Sequence, residues 1–158
     1  MKVLLVNGSP NAKGCTYTAL CEVEKTLIEN GIETEMIQIG KDDIRGCIAC
    51  RACSKMGKCV FDDKVNEVAE KFKACDGLVV GSPVYYASAN GTLVSFLDRL
   101  FFSSSFDKTM KVGAAVVSAR RGGCSATFDQ LNNTLQYRVC RLSPVSIGIA
   151  FTAILQRM

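Results

Sequence analysis

Val3-Leu4-Leu5-Val6-Asn7-Gly8-Ser9-Pro10-Asn11-Ala12-Lys13-Gly14-Cys15-Thr16 begins as a continuous apolar run, breaks into turn residues and then opens an amphipathic stretch. Four apolar residues in a row, with no polar face, predict a strand covered on both sides, as in a parallel sheet. From Thr16 onward the apolar positions Leu20, Val23 and Leu27 recur three and four apart, the period of a helix, and Asn30-Gly31 supplies its stop. The chain therefore starts as strand, glycine-bearing loop and helix.

The same alternation continues outward from this unit. Residues 33–39 alternate, with Ile37 and Ile39 apolar and Glu35 and Gln38 polar, which predicts a less buried strand at a sheet edge. An irregular stretch, 40–61, follows and carries a cysteine cluster. Asp62-Asp63 can cap a helix with Val65, Val68, Ala69 and Phe72 on its inner face. Leu78-Val79-Val80 reads as a buried strand ending in Gly81-Ser82-Pro83, and Leu93, Phe96, Leu97, Leu100 and Phe101 mark one face of a third helix. Residues 112–117 form a fourth strand, closed by Ser118-Ala119-Arg120-Arg121-Gly122-Gly123. Strands alternating with helices predict an α/β fold, a doubly wound parallel sheet. Ligands of such sheets sit beyond the carboxyl ends of the strands, which places the loops 8–15, 82–90 and 118–124 around one site.

Composition narrows the function. The 158 residues are 48% hydrophobic and 22% charged, with three prolines, which fits one globular domain over 1–158 and argues against disorder. The net charge of +4 is dispersed, with no run of like charges, so nucleic acid is not an expected partner. No apolar stretch is long enough to span a bilayer, and the apolar run at the N-terminus is too short for a signal-peptide core, so a cytoplasmic location is expected. The absence of histidine excludes Ser-His-Asp and Cys-His catalysis.

The three loops each admit a site reading and an ordinary one. In residues 8–16, backbone amides, hydroxyls and a helix start can converge on a phosphate. Neither a Walker loop nor GxGxxG is present, and a plain capped turn is the alternative. Tyr85 and Tyr86 can flank a planar ring or close the local core. Arg120 and Arg121 can face an anionic cofactor or simply be solvated.

Cys47, Cys50, Cys53 and Cys59 place four thiols within 13 residues, spaced by two, two and five. That run suits a [4Fe-4S] cluster, although Val60 stands where ferredoxins usually carry proline. Tetrathiolate zinc and four free thiols are the alternatives. Cys15, Cys21, Cys75, Cys124 and Cys140 are scattered, with core filling as their default, except that Cys15 stands at a helix start, which can partly activate a thiol.

In combination, GSPNAKGCT, GSPVYYASANG, SARRGG and CIACRACSKMGKC resemble the flavodoxin-like NAD(P)H-dependent FMN reductases, and within them the iron-sulfur flavoproteins, over residues 1 to about 132. The resemblance implies a flavodoxin-like five-stranded sheet of order 2-1-3-4-5 and an oxidoreductase using FMN. Ser9, Asn11, Cys15 and Thr16 would hold the phosphate. Pro83, Val84, Tyr85 and Tyr86 would line the ribityl chain and ring, and Ser118, Arg120 and Arg121 would approach its far side. It further implies NAD(P)H or a ferredoxin-like donor, a small-molecule acceptor such as a quinone, azo compound or free flavin, no covalent catalytic side chain, and a homodimer or homotetramer. Cys47, Cys50, Cys53 and Cys59 would hold the cluster. The alternative is a zinc-binding or empty scaffold without catalysis.

The resemblance lapses in a tail over 133–158, where Asn133-Thr134-Leu135-Gln136-Tyr137-Arg138-Val139-Cys140-Arg141 loses the expected helical spacing. Back-translated with chosen codons and read two bases later, the tail gives YFTISGMPIVSSQYWNSVHGY, a family-like continuation. An out-of-frame tail is the expectation. Residues 143–154 are apolar and β-branched enough to serve as an irregular fifth strand, with the final helix missing. A less stable domain with an uncovered apolar surface, prone to associate, is expected.

Overall fold

The computed structural model describes residues 1–137, 141–142 and 150–152. The opening apolar run becomes β1 (Lys2–Asn7), and the periodic stretch after it becomes α1 (Cys15–Glu29). There follow β2 (Glu33–Gln38), a short α2 (Cys53–Met56), α3 (Lys64–Lys73), β3 (Gly77–Tyr85), β4 (Ser88–Ala89), α4 (Gly91–Ser103), β5 (Val112–Ala119), α5 (Cys124–Tyr137), β6 (Arg141–Leu142) and β7 (Ala150–Thr152).

The sheet runs β2-β1-β3-β5-β6, with every neighbouring pair parallel. This is the expected order with two additions. A two-residue β4 pairs antiparallel with the end of β3, and the fifth position beside β5 is shared by β6 and β7. β2 lies at the edge, as its alternating pattern predicted. Within the expected irregular strand 143–154, only β7 belongs to the described residues. The missing final helix and the reading-frame expectation concern residues outside them.

Alternation along β1 divides the core in two. Leu4 and Val6 face α3, α4 and α5 in one cluster with Val65, Phe72, Phe96, Leu100 and Leu131, while Val3 and Leu5 meet Leu20 and Val79 beneath α1. A strand apolar on both faces is stable only between two such layers. Asp63 caps α3 by accepting from the Val65 amide at 3.1 Å, and the four residues expected on the helix's inner face are all buried.

One local expectation is corrected. Helical spacing was expected to fail from Asn133, yet α5 continues to Tyr137 and buries Leu135 against the same core as Leu131. A spacing of four keeps both leucines on one face, which sustains the helix through the polar residues between them. Among the described residues no helix is long and apolar enough to cross a membrane.

Candidate functional site

The carboxyl ends of β1, β3 and β5 open onto a cavity of about 430 Å³. Of the eleven residues expected around a flavin, Ser9, Asn11, Cys15, Thr16, Pro83, Val84, Tyr85, Ser118 and Arg120 line it, joined by Gly14 and Ala119.

The first loop is held by its own polar groups. Asn7 Oδ1 accepts from the Ser9 amide at 3.0 Å, and Ser9 Oγ accepts from the Asn11 amide at 3.1 Å. Gly14 occupies the N-cap of α1 and offers no side chain to it, which leaves the first-turn amides without a side-chain cap. Such amides, with the helix dipole behind them, favour an anion. Gly40 closes the back of the loop so tightly that a Cβ there would clash with the Ser9 carbonyl. The first and third loops are tied by a hydrogen bond of 2.7 Å between the Thr16 and Ser118 hydroxyls, both buried.

The second loop is a two-residue hairpin. Val84 pairs with Ala89 and Tyr85 with Ser88, which leaves Tyr86 and Ala87 as the turn, at φ of 51° and 59°. Those values define a type I′ turn, a geometry that Asn-Gly ordinarily fills, so two L-residues hold it here under strain. Two side chains with no obvious signal fix it. Gln130 Oε1 accepts from Ser88 Oγ and from the Ala89 amide, both at 3.0 Å, and Asn90 donates to the Gly8 carbonyl at 2.6 Å while capping α4. The turn sends Tyr86 into solvent, fully exposed, and Arg121 is also exposed, so neither lines the cavity. Asn90 was legible only as the Asn-Gly before a periodic helix, and Gln130 carried no signal.

A second, much smaller cavity of about 20 Å³ lies in the irregular stretch, and Cys47, Cys50, Cys53 and Cys59 all line it, with Arg99, Phe102 and Ser103 of α4. Cys50 is flanked by Ala49 and Arg51 at φ of 53° and 58°. Left-handed backbone at non-glycine residues costs about 1–3 kcal/mol each and persists where surrounding structure imposes it. Cys59 is the most firmly held of the four. Its backbone exchanges two hydrogen bonds of 3.0 Å with the side chain of Asn66, and its sulfur accepts from Arg99 Nε at 3.3 Å and Nη2 at 3.2 Å. Arg99 is buried and also forks onto the Asp63 carboxylate at 2.6 and 2.9 Å. Burial opposes the charge of Arg99, but its hydrogen bonds to Asp63 and Cys59 outweigh this and hold its proton above the ordinary arginine value. Ser103, one turn on, also lines this cavity, and its buried hydroxyl has no hydrogen-bond partner among the described residues. Among the described residues no three ligating side chains close on a single ion, and the eight described cysteines are free thiols. Cys75 is core filling, its thiol pushed up by burial, whereas Cys15 is exposed at the larger cavity.

The four-thiol lining fits an iron-sulfur group. Thiolates are its normal ligands, and the buried Arg99 guanidinium on the same lining would offset their charge.

Known proteins resemble the chain in both sequence and fold. The model of the NADPH-dependent FMN reductase family matches residues 1–151. An iron-sulfur flavoprotein of Methanocaldococcus jannaschii is 37% identical over 136 residues, covering 84% of this chain and 70% of that protein. An iron-sulfur flavoprotein of Methanosarcina thermophila is 35% identical over 140 residues, covering 84% and 72%. In fold, a flavodoxin from the domain Archaea superposes with a TM-score of 0.65 at 16% identity, over 96% of this chain and 84% of the other.

Proposed function

The chain belongs to the NADPH-dependent FMN reductase family and, within it, to the iron-sulfur flavoproteins, and on that premise we propose an electron-transfer role with FMN in the larger cavity and a [4Fe-4S] cluster in the smaller. The observation that carries the reading is that three loops far apart in sequence place nine expected flavin residues around one cavity at the strand ends. It is an FMN reductase-like oxidoreductase. FMN supplies the redox chemistry, and the protein supplies binding, orientation and charge.

The uncapped amides of α1, with Ser9, Asn11, Cys15 and Thr16, would receive the phosphate. Pro83, Val84 and Tyr85 would pack along the ribityl chain and ring. Ser118 and Arg120 would meet the far side, where the guanidinium favours the anionic reduced state. At the second cavity Cys47, Cys50, Cys53 and Cys59 would ligate the cluster, which exchanges single electrons. Together the two sites suit a protein that takes electrons from NAD(P)H or a ferredoxin-like donor and passes them to a quinone, azo compound, free flavin or similar acceptor. We place it in the cytoplasm as a homodimer or homotetramer. The exposed apolar side chains Ile48, Val60 and Phe102 around the cysteine cavity support association.

The test is a visible spectrum of anaerobically purified protein, with iron, zinc and released flavin assayed on the same sample. Flavin bands with about four irons per chain are expected. Zinc in place of iron would remove the cluster, and a colourless protein that takes up no added FMN would overturn the reading.

A further inference from the structure

Arg99 sits in the middle of α4, whose neighbouring positions Phe96, Leu97 and Leu100 are core residues. A guanidinium in that setting loses its hydration, and a buried charge is tolerated only when its donors are fully used. All five N–H groups are used here. Nη1 and Nη2 fork onto Asp63, Nη1 also reaches the Arg45 carbonyl at 3.2 Å, and Nε and Nη2 both point at the sulfur of Cys59. The Phe61 ring lies against the guanidinium, 5.0 Å from its centroid.

A neutral thiol is a weak acceptor and gives no reason to bury a cation beside it with two N–H groups aimed at its sulfur. A thiolate does. Asp63 neutralises the guanidinium at one edge while leaving two donors for the sulfur. The side chain of Asn66 holds the Cys59 backbone at both its amide and its carbonyl, which fixes where the Cys59 side chain starts. On the same helix, Ser103 also lines that cavity.

We infer that Arg99 is a positioning residue for the four-cysteine centre, orienting Cys59 and raising the centre's reduction potential through two N–H···S hydrogen bonds. This rests on reading the cavity as a cluster site. Reduction adds one electron to a group already negative from four thiolates. Hydrogen bonds to a ligating sulfur and a nearby buried cation stabilise that added charge. Asp63 limits the effect by offsetting part of the guanidinium's charge, and its other task is to hold the fork in place.

The experiment is an anaerobic redox titration, read by the cluster's electron paramagnetic resonance, on wild type, R99K and R99Q with iron, sulfide and FMN contents measured on each. With iron near wild type, R99Q should lower the cluster's reduction equilibrium about tenfold, a fall of about 59 mV for one electron. R99K keeps the charge but not the fork, and should fall by less. Where R99Q does not accumulate as folded protein, the R99K shift decides alone. The flavin potential, read on the same samples, should stay in place. Equal cluster potentials in a fully loaded variant overturn this inference while leaving the cluster reading intact. A wild-type chain that takes up no iron overturns both.

Discussion

The two cavities are built on opposite principles. The larger is made by strand ends, and its shape is set by the sheet: β1, β3 and β5 are locked in register, and the loops that leave them need only short polar contacts to stay in place. The smaller is made by a loop with little regular structure, and α3 and α4 hold it from outside through Asn66, Asp63 and Arg99. The first site inherits its precision from backbone pairing, whereas the second depends on a few side chains. Damage to each should therefore stay local, and the loop site should be the more sensitive to single substitutions.

The strongest way to break that contrast is to remove a thiol. C53S should take iron from about four per chain to well under one, since a cluster needs all of its ligands. FMN affinity should stay within about twofold, as expected for sites without shared partners. Loss of flavin together with iron, measured by released FMN, would show that the two cavities are one cooperative unit.

The converse strikes the strand-end site. G40A drives a Cβ into the Ser9 carbonyl, where only backbone can yield, so the first loop must shift. Overpacking of this kind costs about 1–3 kcal/mol. FMN titration should show a loss of roughly tenfold, which corresponds to about 1.4 kcal/mol, with iron content unchanged.

What could be read from the sequence follows the same division. Strand ends announce themselves, because an apolar run must stop in turn residues, and Asn7-Gly8-Ser9, Gly81-Ser82-Pro83 and Ser118-Ala119-Arg120 all line up at one end of the sheet. Side chains that leave those loops were harder. Tyr85 and Tyr86 are adjacent in sequence, but a left-handed turn between β3 and β4 keeps one at the cavity and sends the other into water. The cysteine spacing was legible, but its support was not. Arg99 stands three residues after Phe96 on the buried stripe of α4, a charge where the period demands an apolar residue, and only tertiary structure reveals its partner. α5 was underestimated because Asn132, Asn133 and Thr134 mask a leucine pair whose packing decides the matter.

A subtler probe is T16V, which keeps shape and removes the hydroxyl that joins the first loop to the third. A net hydrogen bond contributes about 1 kcal/mol. FMN should bind about fivefold more weakly, by the usual relation of energy to affinity. An unchanged affinity would mean that sheet register alone sets the distance between the two loops.

The smallest effect lies between the two sites, on α3. Its N-terminal end holds Arg99 through Asp63, and its C-terminal end is fastened to the sheet edge where Lys71 meets Glu35 at 2.7 Å, with Lys2 on the other carboxylate oxygen at 3.2 Å. The hydrogen bond from Lys71, and then that from Lys2, holds the Glu35 carboxyl below its ordinary value of 4.5. A depressed carboxyl contributes its stability above the unfolded value and loses it as pH falls through the folded one. The gap between wild type and E35Q should therefore be present at pH 7 and close below about pH 4.5, near the ordinary glutamate range. These groups are about one-third exposed, and such pairs contribute at most about 1 kcal/mol, so the shift in melting temperature will be small. Cluster content should not follow it, because the C-terminal end of α3 can loosen while its capped N-terminal turn keeps Asp63 on Arg99. Iron lost from E35Q at neutral pH would show instead that the loop site draws on the whole helix, and the contrast between a site set by the sheet and one set by a few side chains would then have to be redrawn.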